Sequence, residues 1–198
     1  LKKFTIIGAT TRSGMLSGPL RDRFHLHEHL EFYDVEDLAR IVAINAGKLR
    51  TSITSDAAEE LARRSRGTPR LANARLRWVR DYAVARADGH ITRPIAVDAL
   101  DMQEVDVEGL DRQDRRYIET LIRVFRGGPT GVEALAATMN IAIDTLTDEV
   151  EPFLLRREFI VRTPRGRRAT DSAYIHLGLN HPEPDPPFDL LDQPRLFE

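Results

Sequence analysis

Glycine and proline cut this chain into amphipathic segments that fit small helical bundles. Asp34 is placed to cap a helix carrying Leu38, Ile41, Val42 and Ile44. A second helix starts near Ser55, carries Ala58, Leu61 and Ala62, and stops at Gly67. A third opens at Pro69, a residue suited to the first helical turn, and runs to about Ala87. Leu71, Trp78, Tyr82 and Ala85 share one face of it at helical spacing. Asp88-Gly89 ends it, and a fourth helix from about Pro94 to Met102 carries Ile95, Val97 and Leu100. Four short helices on short connections predict a helical bundle.

The second half follows another order. Asp101 to Asp111 reads as an acidic connector with few apolar anchors, so two separately folding units with limited mutual contact are expected. The next helix buries Tyr117, Ile118, Leu121, Ile122 and Phe125 and ends at Gly127-Gly128. Thr130 and Glu133 have capping-box spacing for a helix carrying Val132, Leu135 and Met139. After a turn at Asn140, a helix from about Asp144 to Arg157 carries Leu146, Val150, Phe153 and Leu154, with Pro152 as a kink or boundary. Phe159-Ile160-Val161 and Ala169-Thr170 then flank Arg162-Thr163-Pro164-Arg165-Gly166-Arg167-Arg168, a hairpin with an arginine-rich tip. Helix, helix, helix, hairpin is the order of a winged helix. From Asn180 the chain is Pro-rich and acidic, a composition expected to stay disordered.

Near the start, Phe4-Thr5-Ile6-Ile7 reads as a buried strand that delivers Gly8-Ala9-Thr10-Thr11-Arg12 to its carboxyl end, where open α/β sheets bind ligands. Residues 25–32 alternate polar and apolar, as a half-exposed strand or an extended linker does. His25, His27 and His29 would share one face of a strand, a spacing that can bind zinc, although histidine is far commoner as a plain polar residue; no metal site is assigned.

The formal net charge of the 198 residues is -2, so binding to nucleic acid has to rest on local charge. Arg156, Arg157, Arg162, Arg165, Arg167 and Arg168 crowd one stretch against Glu158 alone. Arginines on such a tip neutralise backbone phosphates without reading sequence. Cysteine is absent, which excludes disulfides and thiolate metal sites and is compatible with a reducing cytoplasm, the expected location. No apolar run approaches the ~20 residues that span a bilayer, so no membrane partner is expected. There is no GxxxxGK[ST] loop and no apolar strand ending in Asp-Glu, so nothing in these residues holds nucleotide phosphates and magnesium.

Gly8-Ala9-Thr10-Thr11-Arg12 with Leu20-Arg21-Asp22-Arg23-Phe24, joined to the wing Arg162-Thr163-Pro164-Arg165-Gly166-Arg167, closely resembles the RuvB family of hexameric AAA+ branch-migration motors. The resemblance covers about residues 3–180. It implies a mainly α fold: an AAA+ lid four-helix bundle and a winged-helix domain, with a short remnant of the α/β ATPase core. The implied boundaries are 1–33 for the remnant, 34–102 for the lid, 103–180 for the winged helix and 181–198 for the tail.

The same resemblance assigns roles. Arg23 matches an arginine finger delivered to a neighbouring subunit's nucleotide, with Arg21 or an Asp22 ion pair as alternatives. Thr10 and Thr11 are both candidates for sensor 1. Gly67-Thr68-Pro69-Arg70 matches sensor 2, with Arg70 and Pro69 at a helix N-terminus that attracts phosphate. Tyr33 matches a residue that contacts the nucleotide base. Arg162 and Arg167 match DNA contacts, with Arg165 and Arg168 beside them. Two departures occur: Ile143 stands where a basic residue is expected on the recognition helix, and Glu158-Phe159 stands where Gly-Phe precedes the wing.

The implied parent uses ATP and Mg2+, forms a homohexamer and pulls duplex DNA at Holliday junctions. RuvA and RuvC are its implied partners, the RuvA contact surface being expected to precede Leu1. This chain alone is expected to bind no cofactor and hydrolyse no ATP. The alternatives are a non-enzymatic winged-helix DNA-binding or regulatory protein, and a clamp-loader-like AAA+ subunit.

Overall fold

The computed structural model describes residues 3–10 and 13–180. Thr11 and the 181–198 tail, each the subject of an expectation above, lie outside the described residues. Two compact units divide the chain, 1–32 and 33–198.

In the first unit, a 3-10 turn, Ser13–Met15, precedes α1, Gly18–Arg21, with Pro19 in its first turn. The expected buried strand at 4–7 is not formed: Phe4 and Ile7 are exposed and carry no strand pairing. A strand needs a partner for its backbone hydrogen bonds, and among the described residues none lies beside it. Residues 25–32 likewise carry no ladder and are exposed, so the linker alternative holds.

The second unit contains two apolar cores. The first is built by α2 (Val35–Lys48), α3 (Ser55–Arg63), α4 (Pro69–Arg86) and α5 (Arg93–Met102). Asp34 caps α2, its Oδ1 accepting the Asp37 N–H at 2.7 Å. The buried stripe of α4 is Ala72, Leu76, Val79 and Ala83, one residue round from the expected face. Trp78 sits at the rim instead, because its indole N–H must reach a partner; it donates to Ala99 O at 2.8 Å. Ser52 and Thr54 clip Ile91 through main-chain bonds of 2.9 and 3.0 Å, closing the bundle.

The second core lies among α6 (Arg112–Arg123), α7 (Val132–Met139), α8 (Ile143–Thr145), a π-helical turn (Leu146–Val150), α9 (Glu151–Arg156), the strands β1 (Ile160–Thr163) and β2 (Gly166–Ala169), and α10 (Asp171–His176). The expected residues Tyr117, Ile118, Leu121 and Ile122 and the stripe Leu146-Val150-Phe153-Leu154 are buried, whereas Phe125, expected on the same face of α6, lies past its end and is only partly buried. Pro152 falls in the first turn of α9, directly after the π turn, where a missing N–H is tolerated.

Two expectations are corrected. Thr130 is no capping residue: Gly131 occupies the N-cap of α7. The main chain of Thr130 is taken up by Arg167, with bonds of 2.9 and 2.8 Å, which adds a third strand-like edge to the hairpin. Nor is the connector poorly anchored. Val105 and Leu110 are buried. Asp106 Oδ1 accepts the N–H groups of Glu108 at 3.0 Å and Leu110 at 2.9 Å, and its Oδ2 lies 2.8 Å from His176 Nε2. From the first half, Arg64 Nη1 donates to Val105 O at 2.9 Å and Arg66 Nε to Gly109 O at 3.0 Å, so the connector is bonded into both halves.

Candidate functional site

The hairpin pairs β1 and β2 antiparallel, with Arg162 opposite Arg167, Val161 opposite Arg168 and Thr163 opposite Gly166. Two like charges directly opposite repel unless a counter-charge lies between them. Glu151, with no exposed surface, supplies it. Arg162 Nε donates to Glu151 Oε2 at 2.8 Å, and Arg167 Nε donates to Oε1 at 2.9 Å. Tyr117 donates its hydroxyl to Oε1 at 2.9 Å. Burial alone would raise the Glu151 carboxyl, but hydrogen bonds from Arg167, Arg162 and Tyr117 outweigh it and hold it below the usual range. Burial, with the Glu151 charge, drives the Tyr117 phenol upward, so it remains a donor.

This arrangement fixes two guanidinium groups on one face of the hairpin. The Arg162 side chain is 48% exposed and Arg167 only 18%. Arg165 at the turn and Arg168 on the other face of β2 are exposed. The tip can be this close to Thr130 only because Gly166 has no side chain: at φ +133, a Cβ there would lie 2.4 Å from Thr130 O. Ile143 opens α8 and is exposed, an apolar side chain where a charge was expected.

A second cluster forms at the N-terminus of α4. The Tyr33 N–H donates to Gly67 O at 3.0 Å. That bond ties Tyr33 to the turn that opens α4 with Pro69 and Arg70. The three nucleotide-side candidates Tyr33, Pro69 and Arg70 thus share one end of the first bundle, with Tyr33 and Arg70 exposed.

In the first unit, Gly8 lies against Phe24, whose ring would be 3.5 Å from a Cβ at that position. The stretch ending in Thr10 and the turn carrying Arg23 are therefore brought together. Arg23 is exposed in the turn that closes α1, its N–H donating to Leu20 O at 3.3 Å.

Sequence reasoning missed Glu151 and Arg66. The available signal for Glu151 was a carboxylate set inside an apolar stripe, between Val150 and Leu154. Among the described residues no group of three or more His, Cys, Asp or Glu side chains could hold a metal, and no helix is long and apolar enough to cross a membrane.

Family models match almost the whole chain. That of the RuvB C-terminal winged helix domain matches residues 107–178, that of the RuvB AAA lid domain residues 33–106, and that of the Holliday junction DNA helicase RuvB P-loop domain residues 1–30. The chain is 54% identical over 183 residues to the Holliday junction branch migration complex subunit RuvB of Rhodopirellula baltica, covering 92% of this chain and 50% of that protein. It therefore spans about half the length of that curated relative. The solved Thermotoga maritima RuvB Holliday junction branch migration motor is 45% identical with a TM-score of 0.82, over 88% of this chain and 59% of that one. A lysine-to-arginine mutant of the same motor is 44% identical with a TM-score of 0.83, over 88% of this chain and 58% of that one.

Proposed function

Since the chain belongs to the RuvB family, we propose that it is the lid, the winged helix and part of the P-loop domain of an ATP-driven hexameric motor that moves Holliday junctions along duplex DNA. In this reading residues 1–33 belong to the ATPase core, 34–102 to the lid, 103–180 to the DNA-binding domain and 181–198 to a tail. RuvA and RuvC are its partners, and the cytoplasm is its compartment.

The observation that carries the reading is the wing. Arg162 and Arg167 are held side by side on Glu151, with Arg165 and Arg168 exposed next to them. Guanidinium groups grip phosphate oxygens through forked contacts and stay charged at any physiological pH. A carboxylate behind the pair keeps both extended and removes their mutual repulsion, at the cost of part of their positive field. The grip is therefore modest and indifferent to sequence.

On the nucleotide side, Arg70 and Pro69 at the start of α4 suit a terminal phosphate, and Tyr33 suits the base. Those residues would flank ATP and its magnesium, while the phosphate-holding loop belongs to the parent's P-loop domain. ATP supplies the phosphoryl transfer that drives the motor; this chain's share is to sense it through the lid. Arg23 acts in trans, neutralising charge on a neighbour's transferring phosphate. Thr10 or Thr11 orients the attacking water.

Fluorescence anisotropy against salt on two unrelated duplexes tests the wing. The double change Arg162→Ala and Arg167→Ala is expected to weaken binding alike on both and to flatten the logarithmic salt slope by about two units. Unchanged affinity, or a loss confined to one sequence, overturns the reading. With the P-loop domain present, Arg23→Ala subunits are expected to turn over ATP only where a wild-type neighbour supplies the arginine.

A further inference from the structure

The turn between α3 and α4 runs through two successive left-handed residues, Arg66 at φ +57 and Gly67 at φ +66. Glycine adopts that region freely; arginine does not. Apart from the Thr68 hydroxyl, which donates to its carbonyl at 3.3 Å, the partners of Arg66 come from the connector and the second core. Its Nε donates to Gly109 O at 3.0 Å and its Nη2 to Asp111 Oδ2 at 2.8 Å. The same Nη2 is paired with Asp114, a buried carboxylate in the first turn of α6. Its guanidinium lies 4.4 Å over the Phe153 ring. Arg156 Nη2 donates to the Arg66 carbonyl at 2.7 Å. Side chain and main chain of one residue are thus both gripped by α6, α9 and the connector.

The position of that residue in the chain gives the grip its meaning. Arg66 directly precedes Gly67, which anchors Tyr33, and Arg70 follows in the first turn of α4. On the other side, Phe153 and Arg156 belong to α9, whose first residue is Glu151, the anchor of Arg162 and Arg167. A continuous set of bonded contacts therefore runs from the wing through α9 and Arg66 to the start of α4. Arg64 reinforces it, donating to Val105 O at 2.9 Å and to Asp101 Oδ1 at 2.7 Å. Arg75 of α4 is buried, and its Nη1 has no hydrogen-bond partner among the described residues. It is a further cation near this seam, sensing Asp111 and Asp114 as well as Arg66 and Arg64.

We infer that Arg66 is a positioning residue that clamps the loop carrying Arg70 to the winged-helix domain, so that lid and DNA-gripping hairpin turn as one body. This deepens the motor reading and rests on it for its purpose: a lid that moves with the nucleotide would carry the wing, and the duplex, with it. The clamp itself is a mechanical statement and can be tested without any activity.

The absence of cysteine makes the test direct. Spin labels are placed through Ile44→Cys on α2 and Ile175→Cys on α10, both well exposed. Pulsed dipolar spectroscopy on the full chain is expected to give one narrow distance distribution. In Arg66→Ala the distribution is expected to broaden at least twofold, while helix content by circular dichroism stays the same. Arg66→Lys is expected to broaden it as well, because an ammonium cannot reproduce the several directed donors of the guanidinium while lying over Phe153. Arg156→Ala removes the grip on the Arg66 carbonyl together with the Arg156 contact over the Phe153 ring, keeps the Arg66 side-chain contacts, and is expected to broaden it less; it serves if Arg66→Ala does not fold. A distribution as narrow as the parent's in every variant that folds overturns the clamp. Duplex anisotropy on the same samples separates the two ideas. A parent chain that fails to bind duplex sinks the motor reading and leaves the distance result standing. A broad parent distribution sinks the clamp whatever the DNA result.

Discussion

Arg167 Nε donates to Glu151 Oε1 at 2.9 Å, across a carboxylate with no exposed surface. One acid from α9 thus bridges two cations of the wing and leaves a net positive charge on the pair, and the Tyr117 hydroxyl from α6 completes its coordination. The hairpin is thereby set at a fixed height over the helices.

Removing that charge is expected to leave Arg167 half-buried without its counter-ion. Glu151→Gln is expected to lower stability by about 2–3 kcal/mol, less than a fully buried pair because Arg162 reaches water. Tyr117→Phe removes one hydrogen bond to a charged acceptor and is expected to cost about 1–2 kcal/mol. Urea unfolding checks both, and hydrogen exchange at residues 160–169 is expected to rise in the first more than in the second.

Acid is expected to act through the same residue. The folded Glu151 carboxyl lies below its ordinary value of 4.5. Its contribution is therefore present above the unfolded value and lost as pH falls through the folded one. Melting temperature measured downward from pH 5 is expected to fall, and the fall to be shallower in Glu151→Gln. Equal slopes would remove Glu151 from the account.

Asp114 has the opposite sign. Burial, helped by the Asp111 carboxylate and opposed by Arg66, pushes it up to about 7. The folded chain then keeps a proton that the unfolded chain has released. Stability from this group is full below the unfolded value of 3.8 and declines as pH rises to about 7. Between pH 5 and 8 the melting temperature of Asp114→Asn is expected to vary less than that of the parent.

Glycine at the wing is expected to be irreplaceable. A Cβ at Gly166 would meet Thr130 O at 2.4 Å, and one at Gly128 would meet Arg167 O at 2.2 Å, both backbone atoms. Gly166→Ala is expected to break the Thr130–Arg167 bridge and to cost more than ~1 kcal/mol, whereas a Gly-to-Ala change at a loop position without positive φ or a clash stabilises slightly. Nuclear magnetic resonance shifts at Thr130 and Arg167 report the bridge. Intact shifts would show that the wing can yield.

Much of this was legible in the residues. Caps and stripes at regular spacing, such as Asp34 over α2 and Tyr117-Ile118-Leu121 in α6, act within a few residues, so sequence carries them. The arginines of the hairpin were legible as charge. What they touch was not, because Glu151 lies 11 residues from Arg162 and 34 from Tyr117, and only the packed core brings them together. Thr130 misled for a related reason: its local pattern suits a cap, but a long-range main-chain pairing with Arg167 claims it first. The α4 face was misplaced by one residue because Trp78 looks apolar in a pattern yet needs a partner for its N–H. Phe4 to Ile7 has the composition of a strand, and composition cannot supply a neighbouring strand.

The π-helical turn at Leu146–Val150 sets the rotational phase of everything after it. An α-helix advances about 100° per residue, so a π turn lets the segment before it and the segment after it face the core with different angular offsets. A π turn carries about one residue more than the α turn it replaces, so deleting one residue from it would restore an unbroken α-helix and leave α9 near its present phase, with Phe153 and Leu154 in the core and Glu151 aimed at both arginines. Winding the same residues as an unbroken α-helix without a deletion would instead swing α9 round by most of that angle and turn Glu151 away from the wing.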